Sequence, residues 1–178
     1  MLASFFVVAT FPALLLYQQP AADGRLLFTA PDDWSKRQPQ SSMRVAEYQL
    51  PATQGDTEPG ELVVYYFGGS GGSVDANIQR WLGQMKQPDG RDTASVAKRE
   101  SRTINTLAVS LLDVSGTYVA EVRPGSTEHY NKPSFRMRAA VIDTPRGPYY
   151  VKLVGPEKTV ARWGDAFAAF VESMRFEK

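Results

Sequence analysis

The sequence predicts an α+β domain in which amphipathic helices flank a central, mostly antiparallel β-sheet. Three observations carry this reading. Short β-branched and aromatic runs separated by tight turns recur through the chain, as in a series of hairpins. Apolar residues fall at helical spacing in only two places, around Val74–Met85 and Val160–Met174. Strands and helices do not alternate regularly, as a parallel sheet would require.

Taken in order, Arg25 to Thr29 is a short apolar piece, and Pro31 forces extended or turn backbone before Trp34, which is expected to tuck under the sheet edge. Met43, Val45 and the alternating Ala46, Tyr48 and Leu50 read as a strand ending at Pro51, and 52–60 as a surface loop. The unbroken run from Leu62 to Phe67 predicts a central strand covered on both faces. After the glycine-rich stretch 68–73, Ser73 is the expected N-cap of a helix and Asp75 favours its first turn. Val74, Ile78, Trp81, Leu82 and Met85 form the packed stripe of that helix, Asn77, Arg80 and Gln84 point elsewhere, and Pro88-Asp89-Gly90 ends it.

Residues 89–98 read as irregular. A hairpin turning at Asn105-Thr106 follows, then a polar loop carrying His129. A second hairpin joins Phe135–Asp143 to Tyr149–Val154, and Gly155-Pro156 breaks its last strand. Val160, Trp163, Phe167, Phe170, Val171 and Met174 then predict one closing helix.

Composition narrows the function classes. The chain has 178 residues, 43% hydrophobic and 22% charged, which suits one folded domain with a sizeable core. A net charge of +1 argues against a dedicated nucleic-acid binder. Without cysteine there are no disulfides, thiolate metal sites or lipoprotein box, and a single histidine excludes any site needing two imidazoles.

No charged side chain precedes Asp23, and Leu2–Tyr17 is a mostly apolar run shorter than the roughly 20 residues of a membrane span. Its length suits the hydrophobic part of a secretory signal peptide, so 1–22 reads as a leader and 23–178 as a single domain, exported to the periplasm or beyond, with no stable transmembrane span in its mature form. The leader lacks a basic start and an Ala-x-Ala triplet; an uncleaved anchor or a short buried element is the alternative.

Gly68-Gly69-Ser70-Gly71-Gly72 satisfies GxSxG between a strand and a helix, the context of a nucleophile elbow, and Asp113 or Glu128 with His129 follow in the required order. Against a serine hydrolase stand the missing strand–helix repeats, the extra Gly72-Ser73 before the helix, and a histidine in a polar loop. The same loop could instead hold a small anion or ligand, with Ser70, Ser73, Asn77 and Arg80 as the candidate binding residues. It has neither the P-loop ending nor the GxGxxG dinucleotide turn, and no cofactor is expected. A glycine turn needed for close packing is the plainer account.

Asp32-Asp33 and Asp89–Asp92 lack calcium-loop spacing, so no metal site is expected. Lys98, Arg99 and Arg102, interrupted by Glu100, form a small basic cluster that offers a face for a phosphate or acidic partner or, more commonly, an exposed hairpin face. The aromatic residues at 65, 66, 67, 118, 149 and 150 offer a ligand groove or, more commonly at strand spacing, core and cross-strand pairs.

Several stretches resemble a known family when taken together: Pro31-x-x-Trp34, the Leu62–Phe67 strand, Asn77 with Arg80-Trp81, Asp113-x-x-Gly116-Thr117-Tyr118, and Tyr150-x-Lys152-Leu153-x-Gly155-Pro156 before a helix ending Phe170-x-x-Ser173-Met174-x-Phe176. The chain resembles a family of uncharacterised exported bacterial proteins and, more distantly, the PsbP-like superfamily. That resemblance implies an α/β/α sandwich and a non-catalytic binding or assembly role in the cell envelope, with an unknown protein or envelope component as partner. It carries over no functional residue.

Overall fold

The computed structural model describes residues 24–178; the leader expected over 1–22 lies outside them. Ten strands and four helices follow in chain order. The strands are β1 (Arg25–Leu27), β2 (Ser35–Arg37), β3 (Arg44–Leu50), β4 (Gly60–Tyr66), β5 (Met85–Lys86), β6 (Lys98–Ile104), β7 (Leu107–Tyr118), β8 (Lys132–Ile142), β9 (Tyr149–Pro156) and β10 (Arg175–Glu177). The helices are α1 (Val74–Leu82), α2 (Thr93–Val96), α3 (Glu157–Arg162) and α4 (Gly164–Glu172). Eight strands form one sheet in the order β2-β3-β4-β9-β8-β7-β5, with β6 also paired to β7, and every pairing is antiparallel. The fold is α+β, as the sequence predicts. No helix among the described residues is long and apolar enough to cross a membrane.

Strand alternation divides the core in two. On one face Leu62, Val64, Val151, Leu153, Ala140 and Ile142 pack under α3 and α4 through Val160, Phe167, Phe170 and Val171. Trp34 is buried there, 5% exposed, against Tyr48, Trp163 and Phe170. On the opposite face Leu112, Val114, Met137, Ala139, Val141 and Tyr150 pack against Ile78, Trp81 and Leu82 of α1. Charged groups on the α3/α4 face are mutually satisfied. Arg136 donates two hydrogen bonds to Asp113, at 2.7 and 2.6 Å, while Arg138 lies 3.4 Å from the same carboxylate and donates to Gly164 O.

Several elements depart from expectation. The closing helix is two, because the chain turns at Trp163-Gly164; this lets the Trp163 indole donate to Pro51 O while Phe167 and Phe170 stay in the core. β9 runs through Gly155-Pro156 rather than breaking there, and Pro156 leads straight into α3. The first helix ends at Leu82, not at Pro88, and Met85 joins its packed cluster from a short strand beside Tyr118. Within 89–98, Asp92 accepts from Ala94 N and caps the one-turn helix α2. Asn105 and Thr106 both take positive φ, 47° and 71°, the left-handed pair that a tight hairpin turn needs.

The Phe167 ring is 2% exposed and lies beneath the Arg138 guanidinium, 5.1 Å from the ring centroid. Phe167→Ala is therefore expected to lower unfolding free energy by about 3–5 kcal/mol. Chemical denaturation measures this; a loss under about 1 kcal/mol would place the α4 stripe outside the main core.

Candidate functional site

The helix α1 is too short to cover its face of the sheet. Where it stops, a cleft of about 1200 Å³ remains, bounded by α1 and the turn after it, the ends of β3 and β4, and the 119–132 segment. Its floor follows from register. Glu47, Val63, Lys152, Ala139 and Leu112 occupy one cross-strand row on this face, and Val63 and Lys152 of that row line the cleft. Lys152 is the cation in the middle of β9, between Tyr150 and Val154 on the same side.

The Lys152 ammonium donates to Gln84 Oε1 at 3.2 Å and lies 5.9 Å from the centre of the Tyr118 ring. Among the described residues it forms no ion pair. Glu61 faces it from β4, yet that carboxylate lies 3.5 Å from Arg44 and is largely exposed. Burial pulls the Lys152 pKa down to about 8; Glu61 pulls in the other direction, while Arg44 and Arg80 add repulsion. The same low-polarity surroundings push the Tyr65, Tyr118 and Tyr150 phenols up, so they stay neutral hydrogen-bonding groups at neutral pH.

Aromatic rings make the walls. Tyr65 and Phe67 stack at 5.9 Å with planes 8° apart, and Tyr118 stacks with Tyr130 at 5.6 Å and with Phe135 at 6.2 Å. The strand from Leu62 is thus covered on both faces only in part: Tyr65 and Phe67 remain partly exposed to the cleft. Of the six aromatic residues weighed as a groove, Tyr65, Phe67, Tyr118 and Tyr150 line it, whereas Tyr66 and Tyr149 stack on each other at 4.4 Å.

The glycine-rich loop borders this site without forming it. Ser70 Oγ donates to Phe67 O at 2.7 Å and lies outside the cleft lining. Ser73 caps α1, its hydroxyl oxygen accepting from Ala76 N at 3.2 Å. Asn77 is 1% exposed rather than pointing away from the core; it donates to Gly71 O and Ser73 O at 2.8 and 2.9 Å and accepts from Arg80. Tyr150 donates to Gly72 O at 2.9 Å, clamping the loop from below. A Cβ on Gly71 would stand 2.5 Å from the Tyr150 ring, so close packing accounts for this glycine. Asn77 and Arg80 line the cleft, as does the exposed His129, whose Nδ1 is 3.1 Å from Thr127 O. Ser70 and His129 do not share that lining.

Sequence reasoning missed Lys152 and Gln84 as site residues. The available signal was one ammonium interrupting the apolar run Tyr149–Val154, in a strand whose neighbours require burial on both faces.

No protein-family model matches the chain, and no curated protein matches its sequence. Among solved structures it is similar to LpqN, involved in cell envelope biogenesis of Mycobacterium tuberculosis, at 14% identity and TM-score 0.52 over 91% of this chain and 88% of that one. It is similar to PA94, a protein of unknown function from Pseudomonas aeruginosa, at 17% identity and TM-score 0.49 over 88% and 99%. It is also similar to the cyanobacterial PsbP of Synechocystis sp. PCC 6803, at 10% identity and TM-score 0.46 over 95% and 98%. The LpqN match shows a shared fold and no more than that.

A protonated Lys152 costs folding free energy here, and its depressed pKa sets a ceiling of about 3 kcal/mol on that cost. Lys152→Met is expected to raise stability at pH 7 by about 1–3 kcal/mol. Between pH 8 and 10 the unfolded chain holds a proton that folded Lys152 has shed, so wild-type stability gains on the variant as pH rises through that window. Urea melts of both proteins at pH 7 and pH 10 check this. A Lys152→Met protein less stable at pH 7 would mean that the ammonium has a stabilising partner.

Proposed function

We propose that this chain is an exported, non-catalytic binding module of the cell envelope and that it binds through the cleft beside α1. The observation that carries the reading is Lys152. A cation without a carboxylate partner on a strand that needs apolar residues lowers stability, and groups kept at such a cost cluster at functional sites. The cleft combines stacked rings with a few convergent polar groups, the composition of a binding site. LpqN, which shares the fold, is described as involved in envelope biogenesis; at 14% identity this suggests a setting for the present chain and assigns it no activity.

The non-catalytic part of the reading is supported by the state of the GxSxG serine. Its proton is committed to Phe67 O, within its own turn, and the one histidine, His129, lines a cleft that Ser70 does not. A nucleophile needs a base within about 3 Å of its hydroxyl. The purified chain is expected to hydrolyse aryl esters no faster than its Ser70→Ala variant, and Ser70→Ala to shift stability by no more than about 0.5 kcal/mol. Ester turnover that vanishes with the serine hydroxyl would overturn the reading. Export is tested by fractionating cells that produce the full chain: recovery with the envelope or outside the cell is expected, and recovery wholly in the cytosol contradicts it.

A further inference from the structure

We infer that the cleft takes a small organic anion with a planar aromatic body, its acidic group held by Lys152 and Arg80. This rests on the binding reading above and adds the chemical class of the ligand.

Charge sets the sign. Five cations and three carboxylates line the cleft. Arg44 is shared between Glu61 and the buried Glu47, at 3.5 and 3.0 Å, Lys132 donates to Glu58, and Glu121 accepts from Gly125 N. Among the described residues, Lys152 on the floor, Arg80 on the rim and the exposed Lys86 form no ion pair, and of these Lys152 alone is not exposed. Arg80 donates to Asn77 Oδ1, which fixes the guanidinium from one side and leaves further N–H donors unused. Both cations line the same cleft, and Gln84, which accepts from Lys152, follows Arg80 by four residues, so Arg80 adds repulsion at the ammonium. An acidic group between them would relieve that repulsion and replace the water lost by the ammonium.

The walls set the body. Tyr65 and Phe67 present nearly parallel rings to the cleft, and Tyr118 lies beside the Lys152 ammonium. A planar ring packs on such faces in offset geometry. Volume and depth set the size: a cation on the floor of a cleft of about 1200 Å³ is reached by a small molecule that enters rather than by a broad surface that docks on the rim.

Two fluorescent probes of nearly the same body test this on the full chain: anilinonaphthalenesulfonate, an aromatic anion, and phenylnaphthylamine, its uncharged counterpart. The anion is expected to bind saturably at one site and more tightly than the neutral probe. Lys152→Gln and Arg80→Gln are each expected to weaken the anion about tenfold or more, the worth of one charge-assisted hydrogen bond. Affinity for the neutral probe should stay within about twofold. Circular dichroism on the same samples reports folding, and Lys152→Gln is expected to fold at least as well as wild type. If both probes bind alike and neither variant discriminates, the anion assignment falls while the binding reading stands. If neither probe binds, the cleft is no ligand site and both fall.

Discussion

An antiparallel sheet in a layered domain has two faces to bury, and this chain has helix enough for one face and part of the other. β9 lies in the middle of the sheet, flanked by β4 and β8, so residues on both of its sides should be apolar. Val151 and Leu153 obey under α3 and α4; on the reverse side Tyr150 obeys under α1, and Lys152 does not. The cleft, its aromatic walls and its unbalanced charge all follow from where α1 stops.

The contrast between the faces makes the charge pattern informative. Beneath α3 and α4, Arg136 and Arg138 share Asp113, and Arg138 gains Gly164 O and the Phe167 ring as well. Such arrangements offset the desolvation of partly buried cations. Lys152 has one neutral amide oxygen and a ring at 5.9 Å instead. The glycine-rich loop supports the site from outside it: Tyr150 and Asn77 tie its carbonyls down, which anchors the start of α1 and so places Arg80 and Gln84 over the sheet.

Much of the fold was legible in local patterns. Alternation marked β3, an unbroken β-branched and aromatic run marked β4, the Asn105-Thr106 turn marked its hairpin, and Ser73 marked the start of α1. The misreadings share one cause, that apolar periodicity reports burial without reporting backbone continuity. Met85 continues the α1 stripe in space but belongs to a strand, and one stripe from Val160 to Met174 spans the turn at Trp163-Gly164. The site was less legible. Asn77 and Arg80 were found through the glycine-rich loop, yet that loop serves packing, and the cleft lies beyond it. Lys152 becomes unusual only when β9 is known to lie inside the sheet, and the aromatic residues become walls only when α1 is known to end short of them.

The most direct test is the protonation of Lys152 itself, followed by NMR of its side chain across a pH titration, with Lys152→Gln to assign the signal. An ammonium on the cleft floor without an acidic partner should titrate near pH 8, well below the ordinary 10.5. Titration at or above 10.5 would show the ammonium solvated or paired, and would contradict the central place given to it.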